Sequence, residues 1–203
     1  MSQTTHLPLR FFRHFLELLN AEVGSDTLEM VLEKANLPPD LADPQAASRF
    51  DSASAAQAYA HLQQALRIYY GRGARGTLVR IGRLMWGRLL ENAPLQEKAQ
   101  AQVIRALPPA MRPKPTLELL AHFLREKTSG VTIHTLDLDL LLVDHASAAT
   151  VGQVEKAAIC TVTLGLIEES LFRAIGREMD VEEISCRATG GNNCEFKVHT
   201  GRK

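Results

Sequence analysis

Apolar residues recur every three to four positions from Leu9 to about Leu124, which is the spacing of amphipathic α-helices. Proline, glycine and aspartate interrupt this pattern and predict six helices. Gly82 and Gly87 lie inside the fourth of these, where each costs about 1 kcal/mol relative to alanine, so we expect close packing at both. The six helices are predicted from Leu9, from Asp26 to the Pro38-Pro39 pair, at 53–70, at 78–89, at 96–107 and from a Thr116 N-cap onward.

The period of the pattern changes after Gly130. Leucines at alternate positions from 136 to 142 indicate a strand with one buried face. Val131 and Ile133 lie in the opposite phase, so we expect a bulge or turn before Leu136. A seventh helix is predicted at 153–175, followed by strands at 181–188 and 195–199 around a Gly-Gly-Asn-Asn turn.

This order of elements predicts an α+β fold, in which N-terminal helices pack with a C-terminal antiparallel sheet and helix. We divide the chain into a helical part at 1–125 and an α/β part at 126–203, and expect the two to form one compact unit. The 203 residues are 45% hydrophobic and 23% charged, a composition typical of globular proteins.

Charge and hydropathy exclude several classes of function. Lys plus Arg and Asp plus Glu both number 23, so no overall field attracts nucleic acid or an anionic membrane. No apolar run approaches the roughly 20 residues that a spanning helix needs. Arg13 and His14 interrupt the first apolar stretch, so it does not have the pattern of a signal peptide. We expect a cytoplasmic protein that neither spans a membrane nor binds nucleic acid by itself.

The three cysteines, Cys160, Cys186 and Cys194, all lie in the last quarter of the chain. An odd number argues against a disulfide framework and favours thiolate chemistry or metal ligation. Glu183 precedes Cys186 by three residues, so strand alternation places the two on opposite faces unless a bulge or twist intervenes near the start of the strand. Three thiolates and one carboxylate would complete a tetrahedral zinc site. The spacing leaves open a second interpretation, in which the thiols are buried as small apolar groups.

The segment from Cys160 to Phe196 resembles the 4-vinyl reductase domain family, and most closely the sensory domains of phenol- and xylene-responsive regulators. The resemblance implies a structural zinc ion held by Cys160, Glu183, Cys186 and Cys194. It also implies a hydrophobic pocket roofed by the helices, a fold related to trafficking-complex subunits, and a homodimer. The matching features are Cys160 on the seventh helix, which carries the text Gly165–Glu168, then Glu183-x-x-Cys186, Gly190-Gly191 and Cys194-x-Phe196.

Several aromatic and large apolar residues are candidates for lining that pocket, with membership of an ordinary core as the alternative for each. Arg83 is a candidate partner for an anionic group such as a tetrapyrrole propionate, with a solvated helix face as the alternative. The apolar candidates are Tyr69, Tyr70, Met85, Trp86 and Phe123.

The predicted function is therefore that of a zinc-stabilised protein that binds a small hydrophobic, aromatic or tetrapyrrole molecule as a sensor or carrier. The chain ends at Lys203 without an ATPase or DNA-binding domain, so we expect a free-standing version of the sensory domain.

One alternative is a 4-vinyl reductase of bacteriochlorophyll synthesis or its accessory subunit. We identify no catalytic residue for it, and no Gly-x-Gly-x-x-Gly nicotinamide motif follows a predicted strand. A second alternative is a protein-interaction subunit without a ligand.

Overall fold

The computed structural model describes residues 5–124 and 130–201. Within these ranges the chain forms an α+β fold, as predicted: helices come first, followed by a four-stranded antiparallel sheet that one helix interrupts. The boundary predicted at residues 125 and 126 lies outside the described residues and stays a prediction. The helices are α1 (Leu9–Val23), α2 (Ser25–Lys34), α3 (Ser52–Tyr70), α4 (Ala74–Glu91), α5 (Leu95–Ala106), α6 (Pro113–Leu124) and α7 (Thr161–Ile175). The strands are β1 (Val131–Leu136), β2 (Asp139–Asp144), β3 (Asp180–Ser185) and β4 (Cys194–His199).

The six predicted N-terminal helices are confirmed, with small changes at their ends. The side chain of Asp51 caps α3 by accepting a hydrogen bond from the Ser54 amide at 2.7 Å. Thr116 does not cap α6, because α6 begins three residues earlier at Pro113, where a proline fits the first turn. The Thr116 hydroxyl instead donates to the Arg112 carbonyl oxygen at 2.8 Å.

Helices α4 and α7 cross with their backbones in contact. A Cβ atom at Gly82 would lie 2.1 Å from the carbonyl oxygen of Val162, and one at Gly165 would lie 2.1 Å from that of Val79. The expected close packing at Gly82 is confirmed. The same expectation is wrong for Gly87, where a Cβ atom would meet only side-chain atoms of Arg173, at 3.7 Å. The two glycines at the crossing therefore hold α7 tightly against the helical part of the chain.

The sheet has the strand order β1-β2-β4-β3, with every neighbouring pair antiparallel. The turn between β1 and β2 is centred on Asp137, which has a positive φ of 52°, so it follows Leu136 instead of preceding it. Leu140 and Leu142 are buried as predicted, but Leu136 and Leu138 flank the turn and are 44% and 76% exposed. Leu136 and Leu138 continue the alternating pattern in the sequence, but because they lie at the turn they do not share the buried face of the strand.

Residues 153–160 are not helical, and α7 begins at Thr161 instead of at the predicted position 153. The Arg67 guanidinium of α3 donates to the side chains of Gln153 and Glu155, each at 3.1 Å, which ties this irregular segment to the helical part. None of the described helices has the length and apolar character needed to cross a bilayer. The core lies between the helices and the sheet, and its largest fully buried side chains include Phe11, Phe12, Phe15, Phe123 and Phe196.

Candidate metal centre

The four residues predicted to bind zinc come from three elements that meet at the start of α7. Cys160 immediately precedes α7, at its N-cap, and does not lie on the face of a longer helix as the sequence had suggested. Glu183 lies in the edge strand β3, and Cys186 directly follows that strand. Cys194 is the first residue of β4. The fold therefore brings together Cys160 and Cys194, which lie 34 positions apart in the sequence.

A bulge in β3 places Glu183 and Cys186 at the same site. Along this strand pair, Glu183 lies opposite Phe196 while Ser185 lies opposite Glu195, so two steps on β3 match one step on β4. An extra residue of this kind changes the face to which the following side chains point. A bulge or twist was needed for Glu183 and Cys186 to reach one site, and this prediction is confirmed.

The distances between the donor atoms suit a single small cation. The Sγ atom of Cys160 lies 3.4 Å from that of Cys194 and 3.9 Å from that of Cys186, and all three cysteines are free of disulfides. One donor atom from each of these residues and Glu183 lies within 4.8 Å of all the others. Tetrahedral zinc with bonds of about 2.3 Å to sulfur separates its sulfur ligands by roughly 3.8 Å. The two sulfur–sulfur distances from Cys160 lie on either side of this value.

Hydrogen bonds orient two of the donors. The Cys160 amide donates to Glu183 Oε2 at 3.0 Å, and the Arg187 amide donates to the Cys194 sulfur at 3.4 Å. The hydroxyl oxygen of Ser147 lies 3.5 Å from the Cys160 sulfur. Glu183 Oε1 is buried and has no hydrogen-bond partner among the described residues. One carboxylate oxygen is thus fixed by the backbone while the other is available to a cation.

The electrostatics of the cluster disfavour four simultaneous negative charges. Hydrogen bonds with Cys186 and Cys194, together with burial, raise the pKa of the Cys160 thiol well above its usual value. Burial raises the pKa of Glu183 to about 8. Contacts with the other two thiols lower the pKa of the Cys186 thiol. A divalent cation would supply the missing positive charge, and a closed set of four protein donors supports a fold without leaving a position for reactive water.

The aromatic candidates for a ligand pocket lie in different parts of the described chain. Tyr69 and Tyr70 lie at the end of α3, where they are 44% and 38% exposed and contact each other edge to face. Met85 is fully buried, and Trp86 packs edge to face on Phe123 with ring centres 5.7 Å apart. Trp86 alone of these borders a crevice of about 20 Å³ between α4, α5, α6 and α7. A role in ligand binding stays a prediction for all five.

Arg83 is already paired within the protein. Its guanidinium contacts the Glu168 carboxylate of α7 at 2.8 Å and that of Glu178 at 3.4 Å. The hydrogen bond to Glu168 raises the pKa of Arg83, so the group stays charged. An anionic ligand would have to compete with two carboxylates for this side chain.

A buried polar cluster behind Cys160 was not predicted from the sequence. It contains Tyr59 and Gln63 on α3, Asp144 at the end of β2, and Ser147, all of which are buried. The only signal in the sequence is that Tyr59 and Gln63 stand four residues apart, and therefore share one face, in a helix otherwise rich in alanine. That spacing is also common on solvated helix faces, so it does not identify Tyr59 and Gln63 as members of a buried cluster.

Comparison with known proteins supports the domain and the fold. Residues 143–200, which include all four candidate metal ligands, match the 4-vinyl reductase domain, so the predicted resemblance is confirmed over this segment. No curated protein matches the sequence significantly.

Solved structures of H-NOX proteins resemble the whole chain. An H-NOX protein from S. oneidensis in the Fe(II)NO state is 12% identical, with a TM-score of 0.57 over 97% of this chain and 100% of that one. A mutant H-NOX protein from K. algicida in the unliganded Fe(II) state is 13% identical, with a TM-score of 0.58 over 96% and 97%. At these identities the likeness establishes a shared fold.

Proposed function

We propose that this protein, whose residues 143–200 match the 4-vinyl reductase domain, is a small-molecule sensor or carrier in which Cys160, Glu183, Cys186 and Cys194 hold a structural zinc ion. The domain match and the H-NOX-like fold both fit a small-molecule-binding sensor. The observation that carries the zinc assignment is the convergence of three buried thiols and one carboxylate within 4.8 Å.

The residues of the chain would hold the ion at the junction of three elements. Cys160 connects it to the first turn of α7, Glu183 and Cys186 to the edge strand, and Cys194 to the start of β4. Zinc would supply the positive charge that allows the buried thiols to ionise. Because α7 also packs on α4 through Gly82, fixing its first turn stabilises the contact between the sheet and the helical part.

The capacity to bind a small molecule is proposed from the fold and the interior. The H-NOX structures are described in Fe(II), Fe(II)NO and Fe(II)CO states, so the fold accommodates small ligands in those proteins. In this chain the helices and the sheet enclose a largely apolar interior. We propose a hydrophobic or aromatic ligand there, in a homodimeric protein.

Metal analysis and native mass spectrometry of the full chain test this function. We expect one zinc ion per chain, a dimer mass and a retained small molecule. Glu183→Gln should lose most of the zinc, whereas the matched control Glu182→Gln, at the exposed neighbouring position, should retain it. A zinc content far below one per chain in the unaltered protein, or equal zinc in both variants, would show that the assignment is wrong.

A further inference from the structure

The last turn of α3 projects from the body of the protein. Ile68, Tyr69 and Tyr70 end this helix and are 61%, 44% and 38% exposed. Consecutive helical residues point about 100° apart, so three in a row cover more than half of the circumference. All three are exposed together because the helix stands clear of its neighbours here. Exposure continues without a break through Gly73, in the short connection to α4, and we call residues 68–73 the α3 tip.

Another exposed apolar side chain lies beside the α3 tip. Arg67, in the last turn of α3, donates to the side chains of Gln153 and Glu155 and so holds Val154, between them, next to this end of the helix. Val154 is 93% exposed, the largest value among the large apolar residues that the structure describes. Apolar side chains exposed next to one another mark surfaces that contact a partner or a membrane.

The unbalanced charge around the α3 tip is positive. Residues 52–90 contain six arginines and no acidic residue. Four of these arginines pair with glutamates, but Arg72 and Arg75 form no ion pair with any residue that the structure describes. The same is true of the exposed Lys156, in the segment that Arg67 holds. The chain as a whole has no net charge, so an anionic partner would be attracted to this corner locally.

We propose that the α3 tip binds the surface of an anionic lipid bilayer. Its apolar side chains and Val154 enter the interface, and the three unpaired cations face the lipid headgroups. Tyrosine is enriched at the boundary between headgroups and acyl chains, and anionic lipids attract nearby cations. The rings of Tyr69 and Tyr70 pack edge to face with centres 4.9 Å apart, which keeps them together at the tip. This binding depends neither on the proposed metal site nor on a ligand in the interior.

The geometry favours a bilayer over other occupants. A two-fold interface between copies of the chain would place the tip against itself and bring its unpaired cations together, which opposes association. A bilayer interface encloses a projecting end from all sides and supplies the anionic charge. Single-stranded nucleic acid would stack on the tyrosines but leave the aliphatic Ile68 and Val154, the most exposed apolar residues of this surface, without a partner.

Sedimentation of the full chain with lipid vesicles tests the role of charge. We expect binding to vesicles of equal parts phosphatidylcholine and phosphatidylserine, much weaker binding to phosphatidylcholine alone, and release by added salt. Each cation near an anionic surface strengthens binding about fivefold, so Arg72→Gln combined with Arg75→Gln should weaken binding to the mixed vesicles about 25-fold. The control combines Lys98→Gln with Arg177→Gln. It lowers the net charge equally at two exposed residues that form no ion pair among the described residues, and it should retain the binding.

Fluorescence tests insertion of the tip. The emission of Tyr69→Trp should move to shorter wavelength when mixed vesicles are added. That of Leu138→Trp, at the exposed turn between β1 and β2, should not move. Trp86 is buried and contributes the same background to both variants.

Three results would overturn the proposal: no binding of the unaltered protein to the mixed vesicles, equal losses in the two double variants, or an unchanged emission of Tyr69→Trp. The proposal is also wrong if the double arginine variant keeps its vesicle binding and instead loses self-association or binding to a single-stranded oligonucleotide. In that case the α3 tip serves the partner that was lost.

Discussion

The amide of Cys160 donates a hydrogen bond to the Glu183 carboxylate at 3.0 Å. This contact joins the first turn of α7 to the edge strand of the sheet through atoms of the protein alone. It also leaves the second oxygen of Glu183 buried and unpartnered among the described residues. The carboxylate is thus positioned before any cation binds, and three sulfur atoms lie close enough to complete a site around one ion.

Chelation should loosen the C-terminal part of the chain selectively. Without a cation, the cluster keeps raised pKa values at Cys160 and Glu183, and the turn between β3 and β4 loses the metal-mediated part of its link to α7. We expect hydrogen exchange at 180–199 and at the start of α7 to accelerate after zinc removal. Exchange in α1, which contributes no donor to the site, serves as the internal reference.

The competing interpretation makes a different prediction for the same experiment. If the three thiols act only as buried apolar groups, a chelator leaves the exchange pattern unchanged. Uniform acceleration over the whole chain would also contradict a local structural role for zinc.

Helix periodicity was a reliable guide to the N-terminal part because each helix buries one face against the same core. The alternation of leucines was less reliable, since it continued through Leu136 and Leu138 into an exposed turn. The start of α7 was misplaced because the residues from 153 to 160 are held by tertiary contacts, such as that of Arg67 with Glu155, which no local pattern records.

The four residues of the candidate metal centre could be named from the resemblance to the 4-vinyl reductase domain family, since their spacing alone left open that the thiols are buried apolar groups. The geometry of the centre depends on a bulge, which strand alternation required near the start of the strand and which the structure has between Glu183 and Ser185. The cluster of Tyr59, Gln63 and Asp144 could not be predicted, since it forms only where α3 meets the end of β2. Likewise, Gly82 suggested close packing, but its partner Gly165 is identified only when the helices cross.

Alanine substitutions at two glycines of α4 should change stability in opposite directions. At Gly82 the new Cβ would overlap the Val162 backbone, which cannot move without displacing α7, so we expect a loss of about 3 kcal/mol or more in the free energy of unfolding. At Gly87 the nearest atoms are 3.7 Å away, and the better helix propensity of alanine should add about 0.5–1 kcal/mol. Urea unfolding of both variants measures the difference. A tolerated alanine at position 82 would show that the helices do not cross as described.

Asp144 should lower stability as the pH rises. Its pKa is about 6 in the folded protein against 3.8 for an unperturbed aspartate, because burial penalises the charged form. A raised carboxyl pKa means that the stability present below pH 3.8 is lost as the pH increases through about 6. At about 1.4 kcal/mol per pKa unit, this difference corresponds to roughly 3 kcal/mol. The stability of Asp144→Asn relative to the unaltered protein should therefore increase by up to that amount between pH 4 and pH 7.

Asp139 provides a control of opposite sign. Desolvation opposes the shift, but the hydrogen bond from Lys197 and that from the Thr200 amide lower the pKa of Asp139 overall. A lowered carboxyl pKa gives stability that is present near neutral pH and lost in acid. Asp139→Asn should therefore be less stable than the unaltered protein at pH 7, and the gap should narrow as the pH falls below 4. Urea midpoints at each pH, with every variant compared to the unaltered protein in the same buffer, cancel the effect of acid on metal binding. Parallel pH profiles for the two variants would contradict the opposite environments of these carboxyl groups.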